Sequence, residues 1–180
     1  PRSPRRPAPE PAAPNGRGGT WADDDTILFT PTNAANTTLM RISAAGGTPA
    51  VFGALSPGAT RQRWPQALPG GQAVLFTEHS GTAGDWDAAT LVVAPLSGGA
   101  PKVVVRGGYY GRYVPSGPGS PQRDEREGGH LIYLHQGTVF AVRFDLARLE
   151  TVGPAAPALE GVTAFPALGG AKLAVSSEGT

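Results

Sequence analysis

The chain contains no cysteine and no long apolar run. The absence of Cys from its 180 residues excludes disulfides, a thiolate metal site and a cysteine nucleophile. No stretch approaches 18 consecutive apolar residues, so we expect no membrane-spanning segment. No apolar region of the signal-peptide type is present either. Since the chain begins at Pro1, we expect further sequence upstream, and the cellular compartment stays open.

The charge of the chain is nearly balanced but unevenly distributed. The formal net charge is +1 at pH 7, with 15 Lys and Arg against 14 Asp and Glu. Residues 1–17 carry +3 and the remainder carries −2. Because the basic character belongs to one short terminal segment, we expect no nucleic-acid partner for the chain as a whole.

Glycine and proline make up a quarter of the chain, with 26 Gly and 19 Pro. A content this high is typical of disorder-prone sequences, but a hydrophobic share of 39% is too large for a chain that stays unfolded. Many short strands separated by Gly/Pro turns accommodate both figures. We therefore predict an all-β protein with one disordered end.

The disordered end is predicted at residues 1–17, PRSPRRPAPEPAAPNGR. This segment has six prolines and no large apolar residue. Proline fixes φ and lacks an N–H, so the segment favours an extended polyproline II conformation and has no core to join. We interpret it as a stiff linker. Two alternatives, a ligand for an aromatic groove and a basic contact to anionic lipid, have little support.

From Gly18 onward, one pattern of short apolar runs occurs three times. The runs are too short for helices and rich in β-branched and aromatic residues, which is typical of strands. The first run of each copy is TILFT (26–30), AVLFT (73–77) and HLIYL (130–134). The second run is TLMRIS (38–43), TLVVAPL (90–96) and TVFAVRF (138–144). A Gly-Gly turn follows in the first two copies, and a longer connection follows in the third.

An aromatic residue precedes each copy: Trp21, Trp64 and Tyr113. Their spacings of 43 and 49 residues are typical of β-propeller blades, which repeat about every 40–50 residues and contain four short strands each. We predict a β-propeller fragment of about three four-stranded blades plus the start of a fourth. The propeller is expected at 18–180, with blades near 18–60, 61–110 and 111–165 and the next beginning at 166–180.

Two segments modify the repeat. The third copy carries an insertion, Ser116–Gly129, which we interpret as a solvated loop between its first two strands, with a binding loop as the alternative. The stretch AKLAVSSEGT, residues 171–180, is predicted to be the opening strand and first turn of a fourth blade. Three blades and a stub do not close a ring. We therefore expect missing sequence or another copy of the chain to supply the remaining blades.

The motifs TWADDDTILFT and RWPQALPGGQAVLFT resemble the WD-like repeats of TolB-type β-propellers. Together with GRYVPSG and GHLIYLHQGTVFAVRF, they look like the propeller that follows the catalytic domain in many bacterial serine/threonine protein kinases. The resemblance covers most of residues 18–180. It implies a non-enzymatic module for protein interaction or sensing within a larger kinase, in an extracytoplasmic position. The alternatives are a TolB-like exported accessory propeller and, less favoured, the propeller lid of a peptidase or hydrolase.

No motif in the chain predicts catalysis. The Gly-rich loop, His-Arg-Asp and Asp-Phe-Gly motifs of kinases are absent, as is the G-x-S-x-G elbow of serine hydrolases. The glycine pairs lack phosphate-loop spacing and recur along the repeat, so we predict hairpin turns there. Asp23, Asp24 and Asp25 lack the further acidic ligands that calcium needs, and we predict a turn. We predict no catalytic residue, no cofactor and no metal.

We also predict no catalytic or metal-binding role for the three histidines. His79 has Asp85 and Asp87 nearby, which is the best acid/base cluster of the chain, but no nucleophile accompanies it. His130 and His135 flank one strand and lie five positions apart, so they point to opposite faces and do not share a metal ion.

The candidate interaction surface consists of Trp86, Tyr109, Tyr110 and Arg112. These residue types are enriched in interface hot spots, and their loops are expected on one face of the propeller. In this interpretation the partner is a protein or a peptide. The alternative is that the tyrosines, with Tyr113, pack between blades, and it is favoured because blade interfaces need large side chains.

Overall fold

The computed structural model describes residues 13–81, 84–116, 128–165 and 167–175. Every helix or strand within these ranges is a β-strand, and there are fourteen of them. The same ranges contain no helix long and apolar enough to cross a membrane. The prediction of an all-β fold is confirmed.

Three sheets have four antiparallel strands each, and in each sheet the strands are adjacent in chain order. Blade one contains β1 (Gly19–Trp21), β2 (Thr26–Phe29), β3 (Leu39–Ser43) and β4 (Ala50–Phe52). Blade two contains β5 (Arg61–Ala67), β6 (Ala73–His79), β7 (Thr90–Pro95) and β8 (Lys102–Arg106). Blade three contains β9 (Tyr109–Pro115), β10 (Gly129–His135), β11 (Thr138–Asp145) and β12 (Glu150–Leu159). A two-stranded sheet follows, β13 (Ala164–Phe165) and β14 (Gly170–Ala171).

The blades pack face to face, with blade two in the middle. All seven residues of β6 are buried. Because successive side chains of a strand point to opposite faces, Val74 and Phe76 join one core with blade one, while Leu75 joins another with blade three. The largest apolar contributions from the outer blades are Leu28, Leu39 and Phe52 in the first core and Tyr113, Leu131 and Phe144 in the second.

The glycine pairs lie in turns between strands, as predicted. Gly46–Gly47, Gly70–Gly71 and Gly98–Gly99 all have positive φ, between 64° and 138°. They lie in the connections β3–β4, β5–β6 and β7–β8. Positive φ is strained for residues with a Cβ, which explains why glycine recurs at these hairpins.

The aromatic residues that precede the copies do not all lie at equivalent positions of the repeat. Trp64 and Tyr110 have φ of 57° and 54°, and each lies at a β-bulge in the first strand of its blade. Gly18, with φ of 93°, precedes β1 at the corresponding place, so the repeat is 46 residues in both steps. The position equivalent to Trp21 and Tyr113 is therefore Ala67. Equating Trp64 with Trp21 and Tyr113 was wrong by three residues, because Trp64 occupies the positive-φ position that Gly18 and Tyr110 occupy in the other blades.

The ends of the propeller differ in detail from the sequence-based expectation. Residues 1–12 of the predicted linker lie outside the described ranges, but Arg17 bonds to blade one: its N–H donates to the Thr30 carbonyl at 3.3 Å. Of the predicted opening strand 171–180, the structure describes only 171–175, and Ala171 pairs with Ala164 in the β13–β14 hairpin. Ordered structure therefore begins before Gly18.

The insertion at Ser116–Gly129 connects β9 to β10, which are the first two strands of blade three. Its base is closed by the Ser116 hydroxyl, which donates to the Gly128 carbonyl at 3.2 Å. Residues 117–127, to which the solvated-loop and binding-loop interpretations apply, lie outside the described ranges.

Candidate functional site

The first strands of the three blades, β1, β5 and β9, lie side by side and are joined by side-chain hydrogen bonds. The Thr20 hydroxyl oxygen accepts from the Ala67 N–H at 2.9 Å. The Gln66 side chain accepts from the Tyr113 N–H at 2.7 Å and donates to the Tyr113 carbonyl at 3.2 Å. Thr20 and Gln66 occupy equivalent repeat positions, so the same link is made twice.

A central cavity of about 460 Å³ lies where these three strands meet. We define it by Thr20 on β1, Gln66 on β5, Tyr110 and Arg112 on β9, and the segment 173–175 after β14. Arg112 is its one charged residue among those that the structure describes. A concave site with few polar groups on rigid strands is the usual form of a small-molecule site.

Arg112 is held by neutral groups. Its guanidinium carbon lies 4.3 Å from the centroid of the Tyr110 ring, a cation–π geometry. One terminal nitrogen donates to the Trp64 carbonyl at 3.0 Å and the Gly111 carbonyl at 2.9 Å. Burial lowers the pKa of Arg112 from its usual value, and Tyr110 partly opposes this effect. Ion pairs in the described ranges involve other residues and leave Arg112 without a carboxylate.

A second arginine anchors the C-terminal hairpin beside the cavity. Arg63 is 2% exposed, and its guanidinium carbon lies 4.5 Å from the centroid of the Trp86 ring. It donates to the Leu168 carbonyl at 2.7 Å and to Asn33. Burial, together with the charges of Arg17 and Arg61, lowers the pKa of Arg63 to about 10. Arg63 therefore stays protonated at neutral pH, and its hydrogen bond holds Leu168 against blade two.

The four residues of the predicted interaction surface are divided by the structure. Trp86 and Tyr109 are 2% and 4% exposed and belong to one core cluster. They do not lie on the described surface, because residues of β10, β11 and the C-terminal hairpin pack against them. Tyr110 and Arg112 are partly buried and both line the central cavity. Thr20 and Gln66 were not predicted, since only the 46-residue register reveals that they share a position with Arg112.

His79 does not form an acid/base pair with a carboxylate. Its Nε2 lies 2.6 Å from the backbone carbonyl of Asp85, and its Nδ1 has no partner among the described residues. The ring stacks on Trp86 with centroids 4.4 Å apart. The Asp87 carboxylate instead lies near His135, with Oδ1 3.9 Å from the His135 Nδ1. The geometry of His79 is that of a packed core residue.

The three aspartates at 23–25 lie in the turn between β1 and β2. Asp24 accepts from the Thr26 N–H at 3.0 Å, and Asp25 accepts from the Trp21 indole N–H at 3.2 Å. Such bonds are typical of aspartates in turns. Across the described ranges, no three His, Cys, Asp or Glu residues are grouped closely enough to hold a metal ion.

A second cavity, of about 540 Å³, lies between blades one and two at their outer strands. Its walls are mainly apolar, with Phe52, Phe76 and Leu96 among them. Gln62 faces it, but the amide of Gln62 already bonds to Leu39, Ala54 and Glu78. Gln62 is therefore already satisfied, and the other polar side chains that line this cavity are Arg41, Ser56 and Ser97.

Comparison with known proteins identifies the fold and no family. No family model and no curated protein matches the sequence. Among solved structures, the chain is similar to regucalcin, a calcium-binding protein from Agrobacterium tumefaciens strain C58, with a TM-score of 0.52 and 15% identity over 79% of this chain and 44% of that one. It is also similar to a luciferin-regenerating enzyme, with a TM-score of 0.45 and 12% identity over 83% of this chain and 62% of the other.

The chain thus spans less than half of the regucalcin chain and less than two thirds of the luciferin-regenerating enzyme. At 15% identity the likeness to regucalcin concerns the fold alone. Together with the three four-stranded sheets, it confirms the predicted β-propeller architecture.

Proposed function

We propose that this chain is a non-enzymatic β-propeller module that binds a ligand or a partner segment in its central cavity. The observation that carries the proposal is the meeting of β1, β5 and β9 around a cavity of about 460 Å³ whose one charged residue in the described ranges is Arg112. Rigid strands hold the polar groups of this cavity in fixed positions, as recognition of a ligand requires.

We further propose that the module belongs to a larger protein and acts there in sensing or protein interaction, with a bacterial serine/threonine kinase as the preferred context. The sequence motifs at the starts of the blades are the support for that context. The coding sequence on either side tests it directly. A kinase domain followed by a membrane helix upstream is expected, and a signal peptide or an intact hydrolase domain in that place contradicts it.

Binding in the cavity is tested by filling it. Ala174 is exposed and lines the central cavity, so Ala174→Phe places a ring in the cavity without removing a hydrogen bond. Ala45→Phe, in the exposed β3–β4 turn, is the matched control. Small acids, amides, sugars and short peptides are screened for an increase in melting temperature, because a ligand that binds only the folded state stabilises it.

The proposal expects compounds that stabilise the wild type and Ala45→Phe but not Ala174→Phe. If every stabilising compound acts equally on Ala174→Phe, the cavity is not the binding site. If no compound of any class stabilises the wild type, the proposed binding function fails.

A further inference from the structure

Thr20, Gln66 and Arg112 share one repeat position, each 46 residues from the next. In the paired strands they lie opposite Leu28, Leu75 and Ile132. The first two side chains accept an N–H from the first strand of the following blade. The repeat therefore uses this position to join neighbouring blades through an acceptor atom.

Arg112 departs from that use. A guanidinium has five N–H donors and no acceptor, so it is unable to take the N–H of a following strand as Thr20 and Gln66 do. Arg112 instead turns back to the preceding blade and donates to the Trp64 carbonyl. Arg112 therefore also joins neighbouring blades, but as a donor, and a neutral donor is enough for a hydrogen bond to a carbonyl.

Arg112 lines the cavity, and its charge has no carboxylate partner in the described ranges. One terminal nitrogen donates to the Trp64 and Gly111 carbonyls, and the ion pairs in the described part of the chain do not include Arg112. Taking a cation out of water is costly unless an anion or good hydrogen bonds compensate. A planar carboxylate matches the remaining donors of the guanidinium fork.

The rest of the cavity suits a small organic acid. The Thr20 oxygen accepts one hydrogen bond from Ala67, which leaves its hydroxyl proton free to donate. The lining also includes a set of apolar side chains, which we call the proline-rich wall: Pro65, Pro69, Pro115, Leu173 and Val175. A volume of about 460 Å³ accommodates an acid with a ring or a short apolar body.

We propose that the central cavity binds a carboxylate, with Arg112 as the residue that selects the anion and the proline-rich wall as the contact for the apolar part of the ligand. This proposal rests on the proposed function and names its ligand class. The carboxylate is supplied either by a free organic acid or by the C-terminus of a partner peptide, and both present the same group to Arg112.

The test is a titration of the 180-residue chain followed by amide NMR shifts of Gly111, Arg112 and Tyr113. The probes are benzoate, its neutral isostere benzamide, inorganic phosphate, and one Ala-Ala-Phe peptide with either a free or an amidated C-terminus. Benzoate is expected to bind about tenfold or more tightly than benzamide, since charged hydrogen bonds contribute more than neutral ones. Preference for the free-terminus peptide over benzoate identifies a peptide source, and the reverse identifies a free acid.

Arg112→Gln is expected to weaken benzoate binding by about tenfold or more, while Arg112→Lys, which keeps the charge without the planar fork, gives an intermediate loss. Arg143→Gln, at an exposed arginine on β11, is the matched control and should bind like the wild type. The wild-type comparison of benzoate with benzamide stands even if Arg112→Gln fails to fold.

Equal affinities for benzoate and benzamide, or equal losses in Arg112→Gln and Arg143→Gln, overturn the carboxylate assignment. A clear preference for phosphate over both carboxylate sources overturns it as well. In each case a neutral or phosphorylated ligand that Ala174→Phe still excludes leaves the proposed binding function intact, so the two failures are distinguishable.

Discussion

His79 shows how the protein uses a chemically capable side chain for packing. The ring is 1% exposed, stacks on Trp86 and directs Nε2 at the Asp85 carbonyl. Burial is the largest cause of a lowered pKa at His79; Arg61 and Arg63 add to it, and Asp85 opposes it. The Nδ1 atom has no partner within the described ranges, so a second proton there has no acceptor.

We predict that acid weakens the fold through His79. Because the folded pKa lies below the unfolded value near 6.5, the unfolded state binds more protons as pH falls through this range. The contribution of His79 to the free energy of unfolding is therefore fully present above about pH 6.5. It decreases as the pH falls below that value. His79→Gln should show a shallower decrease in urea unfolding between pH 7.5 and 5. An unchanged pH slope in His79→Gln contradicts this assignment.

The contacts of His79 and Trp86 were only partly predictable from the sequence. Proximity of His79 to Asp85 in the chain was visible, but the sequence does not show that a backbone carbonyl, rather than the carboxylate, faces the ring. The burial of Trp86 was likewise not visible, because the residues that cover it come from β10, β11 and the C-terminal hairpin. Contacts between distant segments leave no local pattern.

The innermost strands are the elements that organise the molecule. β1, β5 and β9 begin the three blades, carry the bulges or positive-φ residues, and are linked to each other by Thr20 and Gln66. The Gln66 amide makes two bonds to Tyr113, so it substitutes for the backbone pairing that separate sheets lack. Blade two and blade three are therefore joined at the cavity as well as in their core.

We predict that Gln66→Ala destabilises the fold by about 1–3 kcal/mol, because it leaves the Tyr113 N–H and carbonyl without their partner in a partly buried place. Gln72→Ala, in the exposed β5–β6 turn, is the control and should change stability by less than about 0.5 kcal/mol. Urea unfolding measures both. Equal stabilities of the two variants exclude a structural role for the Gln66 bridge.

The strands within each blade were largely predictable. The runs at 26–30, 73–77 and 130–134 correspond to β2, β6 and β10, and those at 38–43, 90–96 and 138–144 to β3, β7 and β11. Apolar and β-branched composition is a local property that the sequence displays. The first strands were aligned less well, because Trp64 at the positive-φ bulge has the residue type, but not the repeat position, of Trp21 and Tyr113. For the same reason, the equivalence of Gln66 and Arg112 required the structure.

At the scale of the whole molecule, one face of blade one leaves a large aromatic side chain exposed among the residues that the structure describes. Tyr113, at the position equivalent to Trp21, is buried in the core between blades two and three. Trp21 itself is 62% exposed. In a propeller the face of a blade packs on its neighbour, so we propose Trp21 as a contact for another blade.

We predict that this face makes the chain self-associate. The mass measured by light scattering after size exclusion should rise with concentration in the wild type, since large exposed apolar groups favour association. Trp21→Ser should shift the mass toward that of the monomer. Val152→Ser, at an exposed apolar residue of β12, is the control. A monomeric wild type, or equal masses for the two variants, contradicts the role of Trp21.

The central claim is that the first strands of the three blades together form the binding site, and amide hydrogen exchange with saturating benzoate tests it most directly. The account predicts slower exchange in β1, β5 and β9 at once, with the outer strands β4, β8 and β12 unchanged, because the ligand contacts only the strands that meet at the cavity. Protection confined to β4 and its neighbours, where the second cavity lies, with β1, β5 and β9 unchanged, would contradict it.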